Sequence, residues 1–143
     1  ELPPAGREQQ AGDQLDNRLS RFFREHGLTL SRFNVLRNLI IADRPLTCGE
    51  ICERMIQAVP AITSLVDHLE QQGMVERLRC VNDRRVVHVK ITSQGRKLAD
   101  AAMEPLAILE RRLLMMLRKE DQLALINLIE KARESISCCD GDS

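Results

Sequence analysis

The chain has 143 residues, of which 43% are hydrophobic, and its 21 basic and 21 acidic residues give a formal net charge of zero. This length fits a single domain over residues 1–143 with a folded core, and three phenylalanines without Trp or Tyr argue against binders of single-stranded nucleic acid. No apolar run reaches the roughly 18 residues of a membrane span, and no signal peptide opens the chain. We therefore expect a cytoplasmic protein with no membrane partner.

Two amphipathic helices are predicted before residue 45. Apolar residues recur at helical spacing from Gln14 to His26 and again from Ser31 to Ala42, which puts them on one face of each segment. These positions are Leu15, Leu19, Phe22, Phe23 and His26 in the first helix and Phe33, Leu36, Leu39 and Ile40 in the second.

A short helix and a longer one are predicted next. Thr47 and Glu50 have the spacing of a capping box, which opens the short helix. The longer helix runs from about Pro60 to Gln72, where Gly73 suits the position that follows a helix. The residues expected to face inward are Ile51, Cys52 and Met55 in the short helix and Ile62, Leu65, Val66 and Leu69 in the longer one.

A basic hairpin is predicted after these helices. β-Branched residues alternate with other types in two runs, Met74–Cys80 and Val86–Ile91, on either side of a polar tip. Residues 74–97 hold seven basic and two acidic residues, a net charge of +5, whereas residues 46–73 hold one and four, a net charge of −3. Two helices followed by a basic hairpin form a winged helix-turn-helix with Pro60–Gln72 as the recognition helix. The alternative is a solvated charged hairpin without a ligand.

Two more helices are predicted in the C-terminal third. The first starts at Thr92 or Ser93 and reaches Leu117, and Pro105 inside it should bend it or break its hydrogen-bond ladder. The second, about Glu120–Ser137, is apolar on more than one side, which favours a second subunit as cover. The expected fold is mainly α with a small β-hairpin: a DNA-binding lobe at about 31–92 and dimerisation helices at about 13–27 and 93–138.

With these motifs placed, residues 28–102 resemble the MarR family of bacterial transcriptional regulators. The most specific pieces are LVDHLEQQGMVER (65–77) and DRRVVHVKITSQGR (83–96), where apolar spacing, charge and glycine positions agree. The resemblance implies a homodimer whose first and last two helices interleave, with each lobe reading half of a pseudo-palindromic operator in double-stranded DNA. It also implies that Arg85 enters the minor groove at the wing tip and that Asp83 braces the wing loop.

The resemblance further implies a repressor whose operator affinity a small-molecule effector lowers. No nucleophile–base pair, Gly-rich phosphate loop or paired-carboxylate motif is present, so we expect neither an enzyme nor a cofactor. The rival hypothesis is a dimeric protein-interaction module that has the same fold and has lost specific DNA binding. Its support is the net negative charge of residues 46–73.

The recognition helix departs from the family pattern. Ser64 and His68 stand where Arg is usual, Ala61 stands where Thr is usual, and residues 59–73 contain no Lys or Arg. Guanine is most often read by bidentate Arg or Lys, so the wing must supply much of the electrostatics, and groove shape could add to the operator specificity. His68 could equally pair with Asp67 or Glu70, or be solvated. The predicted DNA contacts are Thr63, Ser64, His68, Arg77, Arg79, Arg84, Arg85 and Lys90.

Aromatic residues of the first two helices form a candidate effector pocket. Phe22, Phe23, His26 and Phe33 could line a cavity between the dimer helices and the DNA-binding lobe. The alternative is that these four side chains pack in the core.

The cysteines are a further candidate site. Cys48 and Cys52, four residues apart on one helix, could bind a metal together with a histidine (His26, His68 or His88) or pack as small hydrophobic residues. We predict no metal. Cys138 and Cys139 could oxidise or crosslink dimers, or have no role, and the fifth cysteine, Cys80, ends the first run of the hairpin. Without a secretory signal, reduced thiols are expected.

Overall fold

The computed structural model describes residues 6–55 and 62–139. Pro60 and Ala61, at the predicted start of the recognition helix, lie outside the described residues. The chain divides into two compact units, Glu1–Glu104 and Pro105–Ser143, and each is described by itself. The elements in chain order are α1 (Arg7–Glu25), α2 (Leu30–Ala42), β1 (Leu46–Thr47), α3 (Cys48–Arg54), α4 (Ile62–Gln71), β2 (Val75–Arg79), β3 (Val87–Ile91), α5 (Ser93–Leu113) and α6 (Lys119–Cys139).

The mainly helical architecture confirms the expected fold class. No helix in the described ranges is both long enough and apolar enough to cross a membrane. The helix α1 begins earlier than predicted, at Arg7, and its first half is exposed in the single chain.

Helix α2 forms the centre of the first unit. It begins after Thr29, whose hydroxyl oxygen accepts the backbone N–H of Arg32 at 3.2 Å and so caps the helix. It ends at Asp43, which adopts the left-handed conformation with φ 51°. The α2 residues that are removed from solvent are Phe33, Val35, Leu36 and Leu39.

The capping box at the start of α3 is confirmed. The hydroxyl oxygen of Thr47 accepts the N–H of Glu50 at 3.2 Å, and the Glu50 carboxylate accepts the N–H of Thr47 at 2.8 Å. Ile51 and Met55 are buried as predicted, but Cys52 is exposed, so its assignment to the inner face was wrong. The helix has only seven residues, and the buried stripe through positions 51 and 55 is too narrow to include position 52.

The predicted hairpin belongs to a three-stranded antiparallel sheet in the order β1-β3-β2. In the hairpin Val75 lies opposite Ile91, and on the other edge of β3 Leu46 lies opposite Val89. The sequence analysis missed β1, because a two-residue strand is too short to show an alternating pattern and its partner lies about 40 residues away along the chain.

The start of α5 lies against the start of β2. The hydroxyl of Thr92 donates to the carbonyl oxygen of Gly73 at 2.6 Å and accepts the N–H of Gly95 at 3.1 Å. Gly95 is buried, and a Cβ atom at this position would collide with the carbonyl group of Met74. A glycine is therefore required here by the close backbone approach.

The second unit holds the end of α5 and all of α6. Helix α5 includes Pro105 and ends at Leu113 rather than Leu117. Large apolar side chains of α6 are exposed in the single chain, with Leu128 at 63%. The others on this helix are Leu123, Leu125, Ile126 and Ile129.

Candidate nucleic-acid interface

Helix α4 presents a polar face to solvent. Thr63, Ser64 and His68 are exposed, whereas Ile62, Val66 and Leu69 are buried in the core of the first unit. This is the division of faces expected for a recognition helix, whose polar side must be free to enter a groove. The exposed face contains hydroxyl and imidazole groups and no cation between residues 62 and 71.

The ring of His68 is oriented by its own helix. Its Nδ1 lies 2.7 Å from the carbonyl oxygen of Ser64, one turn earlier. Within the described part of the chain, neither Asp67 nor Glu70 forms an ion pair with it. Of the alternatives for His68, pairing with these carboxylates is therefore not the arrangement found.

Arg77 of β2 joins the acidic side chains of α4. Its Nη2 donates to the Asp67 carboxylate at 2.6 Å and its Nη1 to the Glu70 carboxylate at 2.6 Å. Its Nη2 also lies 3.4 Å from the carbonyl oxygen of Thr63, and its backbone N–H donates to Glu70 at 3.1 Å. We call these three side chains, Arg77, Asp67 and Glu70, the α4 clamp.

Electrostatics within the α4 clamp favour the charged arginine. Partial burial lowers the pKa of Arg77, but the hydrogen bonds and charges of Glu70 and Asp67 outweigh it and raise that pKa above its ordinary value. The guanidinium of Arg77, which the sequence predicted to contact DNA, thus donates hydrogen bonds to two carboxylates. What it does here is hold the recognition helix against the hairpin. Sequence reasoning missed this role, although two acids at i and i+3 followed by an arginine in the next strand were a visible signal.

The wing loop is ordered by hydrogen bonds around Asp83. Its carboxylate accepts the backbone N–H of Arg85 at 3.0 Å, and its carbonyl oxygen accepts the N–H of Val86 at 3.0 Å. The N–H of Cys80 donates to the Val86 carbonyl oxygen at 3.0 Å and closes the strand pair below the loop. An aspartate that bonds the backbone two residues on stabilises a turn in this way, which is the contact that a bracing residue makes.

The wing carries three unpaired arginines. Arg79, Arg84 and Arg85 are exposed, and among the residues that the structure describes no carboxylate lies within ion-pair distance of them. Lys90, also predicted as a DNA contact, lies on β3 with its Nζ 3.8 Å from the carboxylate of Glu76. The guanidinium groups at the tip are therefore free to meet phosphates or the minor groove.

A second ion pair supports the start of the helix-turn-helix. The Nη2 of Arg44 donates to the Glu50 carboxylate at 2.8 Å. Together with the backbone N–H of Thr47, this bond lowers the pKa of Glu50 to about 2. The pair is solvent-exposed, so its contribution is to order the turn before α3 rather than to hold the core.

The aromatic candidates lie together. The ring centroids of Phe23 and Phe33 are 5.1 Å apart, and those of Phe22 and His26 are 4.3 Å apart. All three phenylalanines are buried within the single chain, as core packing requires. Their role in an effector pocket stays a prediction.

The cysteine candidates do not converge. Cys48 and Cys80 are half-buried and Cys52 is exposed, and all three are free thiols. No group of three His, Cys, Asp or Glu side chains with metal-binding geometry occurs among the described residues. The side chains of Cys138 and Cys139 lie outside the described residues.

Comparison with known proteins places this arrangement in a family. Residues 26–86, which include α2 to the tip of the wing, match the family model described as MarR family. Over these residues the chain is similar to the MarR family. Its members are helix-turn-helix transcriptional regulators, and the match includes both the α4 clamp and the wing.

The similarity also extends beyond the DNA-binding lobe. The chain is 27% identical over 122 residues to the HTH-type transcriptional regulator PecS of Dickeya dadantii strain 3937, covering 82% of this chain and 74% of the relative. It is 25% identical over 109 residues to the homoprotocatechuate degradative operon repressor of Escherichia coli, covering 76% and 72%. A mutant MarR of Escherichia coli in complex with operator DNA superposes with a TM-score of 0.77 at 27% identity, covering 90% of this chain and 93% of that one.

Proposed function

We propose that this protein is a transcriptional repressor that binds a pseudo-palindromic operator in double-stranded DNA as a homodimer. Each α4 enters the major groove through Thr63, Ser64 and His68, and each wing reaches the adjacent minor groove through Arg85. Arg79 and Arg84 neutralise phosphates. We further infer that the protein acts in the cytoplasm and catalyses no reaction.

The observation that carries this proposal is the group of three unpaired arginines on an ordered wing. Among the described residues, the other cations of the hairpin are paired, Arg77 with Asp67 and Glu70, and Lys90 with Glu76 at 3.8 Å. The unpaired wing arginines are well solvated in the free protein. Their binding to phosphates is favourable, because each contact releases counterions from the duplex.

The negative charge of residues 46–73, which supported the interaction-module hypothesis, has a local explanation. Asp67 and Glu70 are paired with Arg77, and Glu50 is paired with Arg44. The acids of this segment therefore serve packing within the lobe.

Selection of bound duplexes from a random pool tests the proposal most directly. We expect enrichment of an inverted repeat, with an affinity that falls steeply as salt rises. Binding that is weak and equal for all duplexes would favour the interaction module instead. A variant with Arg84 and Arg85 both changed to Ala should bind more weakly and reduce the salt slope by about one for each phosphate contact that is removed. A variant with Arg111 and Arg112 changed to Ala, on α5, serves as a charge-matched control.

The exposed apolar face of α6 supports the homodimer. A helix with five large apolar side chains exposed needs cover, and a second copy provides an identical face under two-fold symmetry. Light scattering should give about twice the chain mass of 16.3 kDa. Leu128→Asp should reduce the mass to that of the monomer or unfold the chain, because dimer and fold are coupled. Glu130→Gln, on the same helix, should leave the dimer intact, and a wild-type mass of one chain would contradict the assembly.

An effector that lowers operator affinity completes the proposal, with Phe22, Phe23, His26 and Phe33 as the candidate pocket. Support comes from similarity to the MarR family and from the clustering of these aromatic rings. One relative is named for the degradation of homoprotocatechuate, so this compound is the first effector to test. We expect release of the operator by an effector to be weakened in Phe22→Leu, with DNA affinity in its absence unchanged.

A further inference from the structure

We propose that His68 reads an exocyclic amino group, N6 of adenine or N4 of cytosine, and that it does so as a hydrogen-bond acceptor through Nε2. The inference rests on the proposed function, because it assumes that α4 enters the major groove. It names the kind of base that this chain recognises at the position of a residue that is usually arginine in the family.

The bond between His68 and Ser64 determines which ring nitrogen carries the proton. The Nδ1 of His68 lies 2.7 Å from a backbone carbonyl oxygen, and a carbonyl oxygen can only accept. The Nδ1 atom must therefore be the donor. In a neutral imidazole the other nitrogen then has no hydrogen, so Nε2 presents a lone pair.

The surroundings of His68 leave this lone pair available. The side chain is exposed on the outer face of α4. The neighbouring carboxylates Asp67 and Glu70 are directed to the guanidinium of Arg77, each at 2.6 Å. In the part of the chain that the structure describes, no carboxylate pairs with His68 and would favour a doubly protonated ring.

The major groove offers few partners to an acceptor. Adenine presents the N6 amino group and cytosine the N4 amino group, whereas guanine presents the acceptors N7 and O6, and thymine presents O4 and a methyl group. An acceptor on α4 therefore favours A or C over G or T on the strand that it faces. Arginine at the same place would be a donor and would favour guanine, so histidine reverses the polarity of the contact.

The tautomer can be measured without DNA. Nitrogen chemical shifts of the free protein at about pH 8, where an ordinary histidine is neutral, should show His68 protonated at Nδ1. His88, on the sheet, serves as the internal comparison. A His68 protonated at Nε2 would overturn the inference while leaving the proposed function untouched.

Sequence selection at the same pH tests the readout. For the wild type we expect two symmetry-related positions at which A and C are enriched over G and T on one strand, and this preference should vanish in His68→Ala. The matched control His88→Ala should keep it. A profile unchanged by His68→Ala, or a guanine preference lost with it, would overturn the inference. A wild-type pool without any enrichment would overturn both the inference and the proposed function.

A single-atom change in the DNA completes the test. Replacing the base that His68 reads by an analogue that lacks only the exocyclic amino group should weaken wild-type binding by about threefold to tenfold, the range of one neutral hydrogen bond. His68→Ala should lose the same factor, and the two changes together should cost no more than one of them. Additive losses would show that His68 and this amino group do not interact, which contradicts the inference.

Discussion

The recognition helix and the wing differ in the sign and in the pairing of their charged side chains. On α4 the only ionisable side chains are two acids and one histidine, and both acids are paired with Arg77. On the wing three arginines are exposed and none has a carboxylate partner among the described residues. Phosphate contacts give affinity without sequence information, whereas base contacts give specificity. In the proposed complex with DNA, the two tasks are divided between two elements that many DNA-binding proteins combine in one helix.

The α4 clamp reduces the repulsion that the two acids of α4 would exert on DNA phosphates. Asp67 and Glu70 would repel phosphates if they were free, and the guanidinium of Arg77 neutralises part of their charge within hydrogen-bond distance. The clamp also joins α4 to β2, so the helix and the wing are positioned by the same side chain. Substitutions in each element test this comparison, and they are ordered by decreasing expected effect.

Removing the clamp should have the largest effect. Arg77→Ala leaves two unpaired carboxylates on the recognition helix, and we expect it to cost about 2–3 kcal/mol of operator-binding free energy, the order of a hydrogen bond to a charged group together with the repulsion that it releases. Fluorescence anisotropy with a selected operator measures this loss.

The control for Arg77→Ala separates positioning from phosphate contact. Adding Asp67→Asn and Glu70→Gln to this variant should restore part of the affinity, because the repulsive charges are then gone. The dependence of binding on salt should be close to that of the wild type. If the triple variant binds no better than Arg77→Ala and the salt slope falls by about one, Arg77 is a phosphate contact instead.

Removing charge from the wing tip should have an intermediate effect. Arg85→Ala should weaken operator binding by about 1–2 kcal/mol and leave the melting temperature unchanged, because the side chain lies at an exposed tip and makes no ion pair among the described residues. Titrations at two salt concentrations distinguish a minor-groove contact from a phosphate contact, since only the phosphate contact reduces the salt slope by about one. Unchanged affinity at both concentrations would remove Arg85 from the interface.

Adding charge to the recognition helix should have a smaller effect of opposite sign. Ser64→Arg places a cation on the exposed face of α4, and we expect it to strengthen binding to random duplex DNA by up to about 1 kcal/mol through a new phosphate contact. The matched control is Ser64→Gln, which adds length without charge. A variant with Arg that binds random DNA no better than the one with Gln would indicate that this face lies outside the groove.

The ion pair before α3 should have the smallest effect, which is present at neutral pH and disappears in acid. The pKa of Glu50 is lowered to about 2 in the folded protein, below its ordinary value near 4.5. The stabilisation is therefore present above about pH 4.5 and is lost as the pH falls from there toward 2. Thermal melts of wild type and Glu50→Gln should differ at pH 7 and converge at low pH. A difference that stays constant across this range would contradict the assignment.

Local patterns predicted most of the first unit. The helical spacing of the apolar residues in α2 and α4, the Thr47–Glu50 capping box and the alternating strands of the hairpin depend on neighbours within a few residues, and the structure agrees with each of them. The errors have a common origin in non-local packing. The strand β1 exists because Leu46 and Thr47 pair with β3, and Cys52 is exposed because the neighbours of α3 cover only one narrow side of it.

By itself, the sequence determined a winged helix-turn-helix with a basic wing and a recognition helix lacking Lys and Arg, because periodicity, caps and charge order depend on residues that are close together along the chain. Only the tertiary structure decided what the charged residues do. It paired Arg77 with Asp67 and Glu70, left Arg79, Arg84 and Arg85 unpaired, and directed Nδ1 of His68 to its own helix. A formal charge count treats these cations alike, whereas ion pairing and hydrogen bonding depend on distances of a few ångströms that only the folded chain defines.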